Sequence, residues 1–68
     1  MAQFIEQNRI STESKWEVKG RYGNSIGEVK FNNTEFAYYP NQKAIETGIS
    51  NETLQEIIDF TNRKNDLL

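Results

Sequence analysis

Between Lys15 and Tyr39 the chain reads KWEVKGRYGNSIGEVKFNNTEFAYY, three short runs of alternating apolar and polar residues separated by turn formers. A period of two is the signature of strands with one buried face, and short connections make sequence neighbours pair in space. The register follows from the turns. A two-residue turn at Gly23-Asn24, glycine first as a type II′ turn prefers, sets Tyr22 opposite Ser25. It then predicts Lys19 opposite Glu28, Glu17 opposite Lys30, Val18 opposite Val29 and Trp16 opposite Phe31. Opposite charges meet on one face and apolar groups on the other, each pair worth roughly 0.2–1 kcal/mol, so a slip of one residue loses both sets. A second turn at Asn33-Thr34, or a loop Asn32–Glu35 that keeps the same pairs, sets Phe31 opposite Phe36 and Val29 opposite Tyr38.

One face of this meander is expected to carry Trp16, Val18, Tyr22, Val29, Phe31, Phe36 and Tyr38. The other is expected to carry Glu17, Lys19, Arg21, Ile26, Glu28, Lys30, Ala37 and Tyr39. The first face needs a cover, and the C-terminal segment provides one. Ser50 is a good N-cap, Glu52 puts negative charge in the first turn, and Ile49 and Leu54 stand at the two positions of a hydrophobic staple. Leu54, Ile57, Ile58 and Thr61 recur at helical spacing with Phe60 on the flank. Arg63 and Lys64 suit the negative end of the helix dipole, and Asn65 to Leu68 is expected to fray, with Leu67 or Leu68 still able to touch the core.

The remaining segments are less determined by pattern. Gln3 to Ile10 reads either as an edge strand, joined to the meander by a Ser11–Ser14 loop, or as a short helix; the short turn-forming loop favours the strand. One register of that strand points Ile5 inward and the other points Phe4 and Ile10 inward. Pro40, with no N–H to offer a ladder, ends the last strand. Asn41 to Gly48 reads as a loop with Ile45 pinned against the core edge. Residues 1–68 are thus expected to form a single α+β domain, a three- or four-stranded antiparallel meander with one C-terminal helix packed on one face.

The series Trp16-x-Val18, Gly27-x-Val29-x-Phe31, Tyr38-x-Pro40 and Ser50-x-x-x-Leu54-x-Glu56-Ile57-x-x-Phe60 resembles a group of small phage and prophage proteins. Those proteins combine strands ending in an aromatic stretch before proline with a final L-x-E-I-x-x-F helix followed by asparagine. Here the aromatic stretch is Phe36-Ala37-Tyr38-Tyr39-Pro40, and Asn62 or Asn65 takes the place of the asparagine. The resemblance implies a phage-type origin and brings with it no activity or functional residue.

Composition narrows function mainly by removal. The 68 residues contain no cysteine and no histidine, which takes away disulfides, thiolate metal sites, and the commonest general base and metal ligand. No catalytic residues, cofactor or metal are expected. A carboxylate pair such as Glu28 and Glu35 has no nucleophile, metal cluster or phosphate loop to work with, so an enzyme is rejected. The expected compartment is the cytoplasm: cysteine is absent, no apolar run approaches membrane-spanning length, and MAQFIEQNRI lacks a signal peptide's basic start and apolar core.

Eight basic against ten acidic residues give a net charge of −2, which disfavours a dedicated nucleic-acid binder. The aromatic series around Trp16 could stack bases, but these rings lie on the face that must be covered and read as core. Glu52, Glu56 and Asp59, with Arg63 and Lys64 behind them, read as an ordinary solvated helix face. What remains is a small non-catalytic interaction module that binds a protein partner or itself through the open sheet face, at Arg21, Ile26, Ala37 and Tyr39. The alternative is weak nucleic-acid binding on that face by Lys15, Lys19, Arg21 and Lys30, two of them expected to be paired with glutamates.

Overall fold

The computed structural model describes residues 1–7 and 14–68. Four strands, β1 (Gln3–Glu6), β2 (Lys15–Lys19), β3 (Ser25–Phe31) and β4 (Phe36–Pro40), form an antiparallel sheet in the order β1-β2-β3-β4. Helix α1 (Gln42–Thr47) and helix α2 (Asn51–Asp66) follow. The α+β meander with a C-terminal helix on one face is therefore the fold, in its four-stranded form. The strand reading of the N-terminal segment holds for Gln3–Glu6, in the register that turns Phe4 inward opposite Val18. Ile10 and the expected loop from Ser11 to Glu13 lie outside the described residues.

The β3–β4 hairpin has the expected register, Phe31 opposite Phe36 and Val29 opposite Tyr38. Its Asn32–Glu35 loop is closed by the Asn32 carboxamide, which accepts from the N–H groups of Thr34 and Glu35 at 3.0 and 2.9 Å.

The β2–β3 register differs from the expectation. Trp16 faces Val29, Glu17 faces Glu28 and Lys15 faces Lys30. The turn is longer than a two-residue one: Gly20 N–H donates to the Asn24 carbonyl and Gly23 N–H to the Gly20 carbonyl. Ladder pairing then jumps from Val18–Gly27 to Lys19–Ser25, which leaves Ile26 as the extra residue of a bulge. Because the displacement along β3 is two residues, Trp16, Val18 and Val29 keep their face. Ile26 does not keep its own. The bulge, with Gly27 at φ 141°, turns Ile26 into the core, where it is 6 % exposed. Tyr22, expected under the helix, stands in the turn at 87 % exposure, and Phe31 lies at the sheet end, exposed at its rim.

Val18, Ile26, Val29, Ala44 and Ile57 form the buried core. Asn41, not foreseen as a cap, starts α1 by accepting from Ala44 N–H at 2.8 Å, and Gly48 at φ 80° closes it. The expected loop is thus a short helix, and Ala44 is the residue it buries; Ile45 faces solvent. Helix α2 begins at the expected cap, where Ser50 Oγ accepts from Thr53 N–H. Its buried stripe is Thr53, Ile57 and Phe60, whereas Leu54 and Ile58, expected inside, are 36 % and 48 % exposed. Aromatic packing sets this rotation. Phe60 stacks on Phe4 at 4.0 Å and meets Trp16 edge-on at 5.4 Å, and such ring pairs contribute beyond their buried area.

Two side chains of α2 reach the outer strands. Glu56 Oε1 accepts from Ala2 N–H, just ahead of β1, at 2.8 Å. On the other side, Asn32 N–H bonds the Glu35 carbonyl, so ladder alternation points the polar groups of Phe36 away from β3. Asn65 takes both, accepting from Phe36 N–H at 2.6 Å and donating to its carbonyl at 3.1 Å.

Candidate functional site

With α2 on one side, the opposite sheet face carries no covering helix or strand among the described residues. Directly opposed residues share a face, so the register builds the surface in rows that run across the strands. Gln7 and Lys15, whose backbones are bonded at 2.8 Å, continue through Lys30 to Ala37. The next row runs from Ile5 through Glu17 and Glu28 to Tyr39. Lys19 lies one step further along, beside Gln3.

Glu28 is the electrostatic centre of this face. Its carboxylate bridges Lys15 Nζ and Lys30 Nζ, each at 3.3 Å. Burial alone would raise its pKa, but the hydrogen bonds and charges of the two lysines outweigh that and hold it below the ordinary glutamate range. The Lys30 ammonium also stands 4.8 Å from the centre of the half-buried Tyr39 ring, a cation–π distance. Between Lys15, Glu17, Glu28 and Tyr39, and out to Pro40 and Asn41, lies a shallow open depression of about 340 Å³.

Of the residues expected to contact a partner, Ala37 and Tyr39 are on this face, on adjacent rows. Ile26 is not; it is core. Arg21 belongs to the β2–β3 turn, its guanidinium 5.7 Å from the Tyr22 ring centre. Among the cations of the nucleic-acid alternative, Lys15, Lys19 and Lys30 share the face, while Arg21 sits in the turn beyond its end. The expected pairs Lys19–Glu28 and Glu17–Lys30 are replaced by the double bridge on Glu28. The sequence leaves Ile5 open between two registers, and the β1–β2 pairing sets its place in the Glu17–Glu28 row. The shared role of Glu28 required the bulge, and the only signal for it was the glycine at 27.

Among the described residues no cluster of His, Cys, Asp or Glu could hold a metal, and no helix is long and apolar enough to cross a membrane. The groups on the face are suited to ion pairing, ring stacking and hydrogen bonding. Comparisons with known families, with curated proteins and with solved structures find no match.

Proposed function

We propose that this protein is a non-catalytic interaction module of the cytoplasm, phage-type in origin, that binds a protein partner or a second copy through its open sheet face. One observation carries the reading: an uncovered face on which Lys15, Glu17, Glu28 and Lys30 occupy the two central strands between Ile5 on β1 and Ala37 and Tyr39 on β4. Tyr39, half-buried beside Ala37 and against the Lys30 ammonium, is the aromatic anchor of that face, tyrosine being among the residues enriched at interfaces. The residues for the role are Tyr39, Ala37 and Ile5; Arg21 and Ile26 leave the set because of their positions in the turn and the core.

The competing reading, phosphate binding by Lys15, Lys19, Arg21 and Lys30, is weakened because Glu28 already holds two of those cations and Glu17 lies between them.

Capture experiments with wild type and Tyr39→Ala test the reading. Tyr39→Ala should abolish specific association while leaving the circular dichroism spectrum intact, and an NMR titration with a short duplex or single strand should stay flat at low salt. Unchanged association in Tyr39→Ala, or salt-sensitive nucleic-acid shifts confined to residues 15–19 and 28–39, would overturn it.

A further inference from the structure

The β2–β3 register sets like against like: Lys15 faces Lys30, and Glu17 faces Glu28. Like charges directly opposed on one face of a ladder are destabilising. Within one chain the bridges from Glu28 to Lys15, diagonally across the ladder, and to Lys30, two residues along its own strand, offset part of this. The result is a face banded across its strands, a positive row and then a negative row, one same-face step or about 6.6 Å apart. A partner of one charge sign matches one band and is repelled by the other. A surface that carries the same two bands in reverse order matches both.

Resting on the reading of this face as an interaction surface, we propose that its partner is a second copy of the same chain, docked face to face. The two-fold axis would lie between the sheets, running across the strands midway between the lysine row and the glutamate row. That rotation exchanges the rows. Lys15 and Lys30 of one protomer come over Glu17 and Glu28 of the other, the reciprocal pairs form by symmetry, and Ala37 meets Tyr39 in the same way. Such an interface is isologous and self-complementary, as closed dimers require. Face-to-face sheets stand about 10 Å apart, a gap that a lysine and a glutamate reaching toward each other fill. Displacement of one copy by a single row, depending on its direction, sets lysine over lysine or glutamate over glutamate and loses the reciprocal pairs, so the charge bands also select the docking register. Built mainly from ion pairs on the two central strands, with small apolar contacts on the outer strands at Ile5 and at Ala37 with Tyr39, the dimer is weak and salt-sensitive.

Sedimentation velocity and an NMR dilution series on the full chain, at low and high salt, test this directly. Concentration-dependent shifts are expected at Lys15, Glu17, Glu28, Lys30 and Tyr39, vanishing as salt is raised. The double variants Glu17→Lys with Glu28→Lys, and Lys15→Glu with Lys30→Glu, should each self-associate at least about tenfold more weakly, since every interfacial pair becomes repulsive. An equimolar mixture of the two should dimerise again, because each face then meets its complement. If either double variant fails to fold, the single variants Glu17→Lys and Lys15→Glu make the same comparison. A monomer at millimolar concentration and low salt overturns the second copy as partner; capture with Tyr39→Ala then judges separately whether the face binds anything else. A dimer indifferent to salt and charge reversal, or one whose shifts fall on Leu54 and Ile58 instead of the face, also overturns the proposal.

Discussion

At Gly27 the backbone takes φ 141°, and a methyl group there would run into the Tyr39 carbonyl oxygen and stand 2.9 Å from Pro40 Cα. Both obstacles are backbone, so neither can swing aside. Gly27→Ala should therefore lose about 2–4 kcal/mol of stability in urea denaturation, the combined cost of a disallowed conformation and a displaced edge strand. The same residue explains why Ile26 was misread: strict alternation puts it on the open face, and one extra residue at the bulge reverses it. Tyr38 secures the arrangement by donating its hydroxyl to the Ile26 carbonyl at 2.5 Å, and burial pushes that phenol up from its ordinary pKa. Glu28 acts in the opposite sense. Because its folded pKa is lowered, its contribution is fully present above the ordinary glutamate value of about 4.3 and is lost as pH falls through the folded value. Stability measured from pH 7 down to pH 3 should drop less steeply in Glu28→Gln than in wild type, and an identical slope would show that the two lysine bridges do not stabilise the fold.

Among the elements, β3, β4 and the start of α2 were legible because local chemistry decides them. The aromatic alternation, the Asn32 loop and the Ser50 cap each act within a few residues. The rotation of α2 was not legible in the same way. Leu54, Ile57, Ile58 and Phe60 spread over an arc of about 160° of the helix circumference, and which part faces inward depends on partners far off in sequence, Phe4 and Trp16. Two substitutions separate the readings. Ile57→Ala should cost about 2–4 kcal/mol as a buried truncation, whereas Ile58→Lys should change thermal stability by no more than about 0.5 kcal/mol as a surface change. Equal losses would return Ile58 to the interior. Helix α1 escaped notice because its six residues hold one buried side chain, Ala44, too little for a periodic signal, although Asn41 directly after Pro40 and Gly48 at the far end do mark its limits.

For the molecule as a whole, the two-layer arrangement was legible and the charge layout of the open face only in part, since which face stays open follows from parity but which charges meet follows from a bulge. The layers are joined at their margins as well as through the core, by Glu56 at Ala2 and by Asn65 at Phe36. Asn65→Ala should cost about 1–2 kcal/mol, because it strips one donor and one acceptor of their partners, and hydrogen exchange at Phe36 should accelerate more than at Val29; uniform exchange would mean that the carboxamide does not guard that margin. These bonds also set an order of events when the chain is made. The hairpins close locally and early, while Ala2 waits for a residue 54 positions later. Until the final helix arrives, the backbone groups of Ala2 and Phe36 at the two margins and the apolar sheet face of Trp16, Val18 and Val29 lie bare, the usual starting points for joining neighbouring chains. A nascent chain stalled before Asn51 is accordingly the species most prone to polymerise, and the helix made last protects the solubility of the sheet made first.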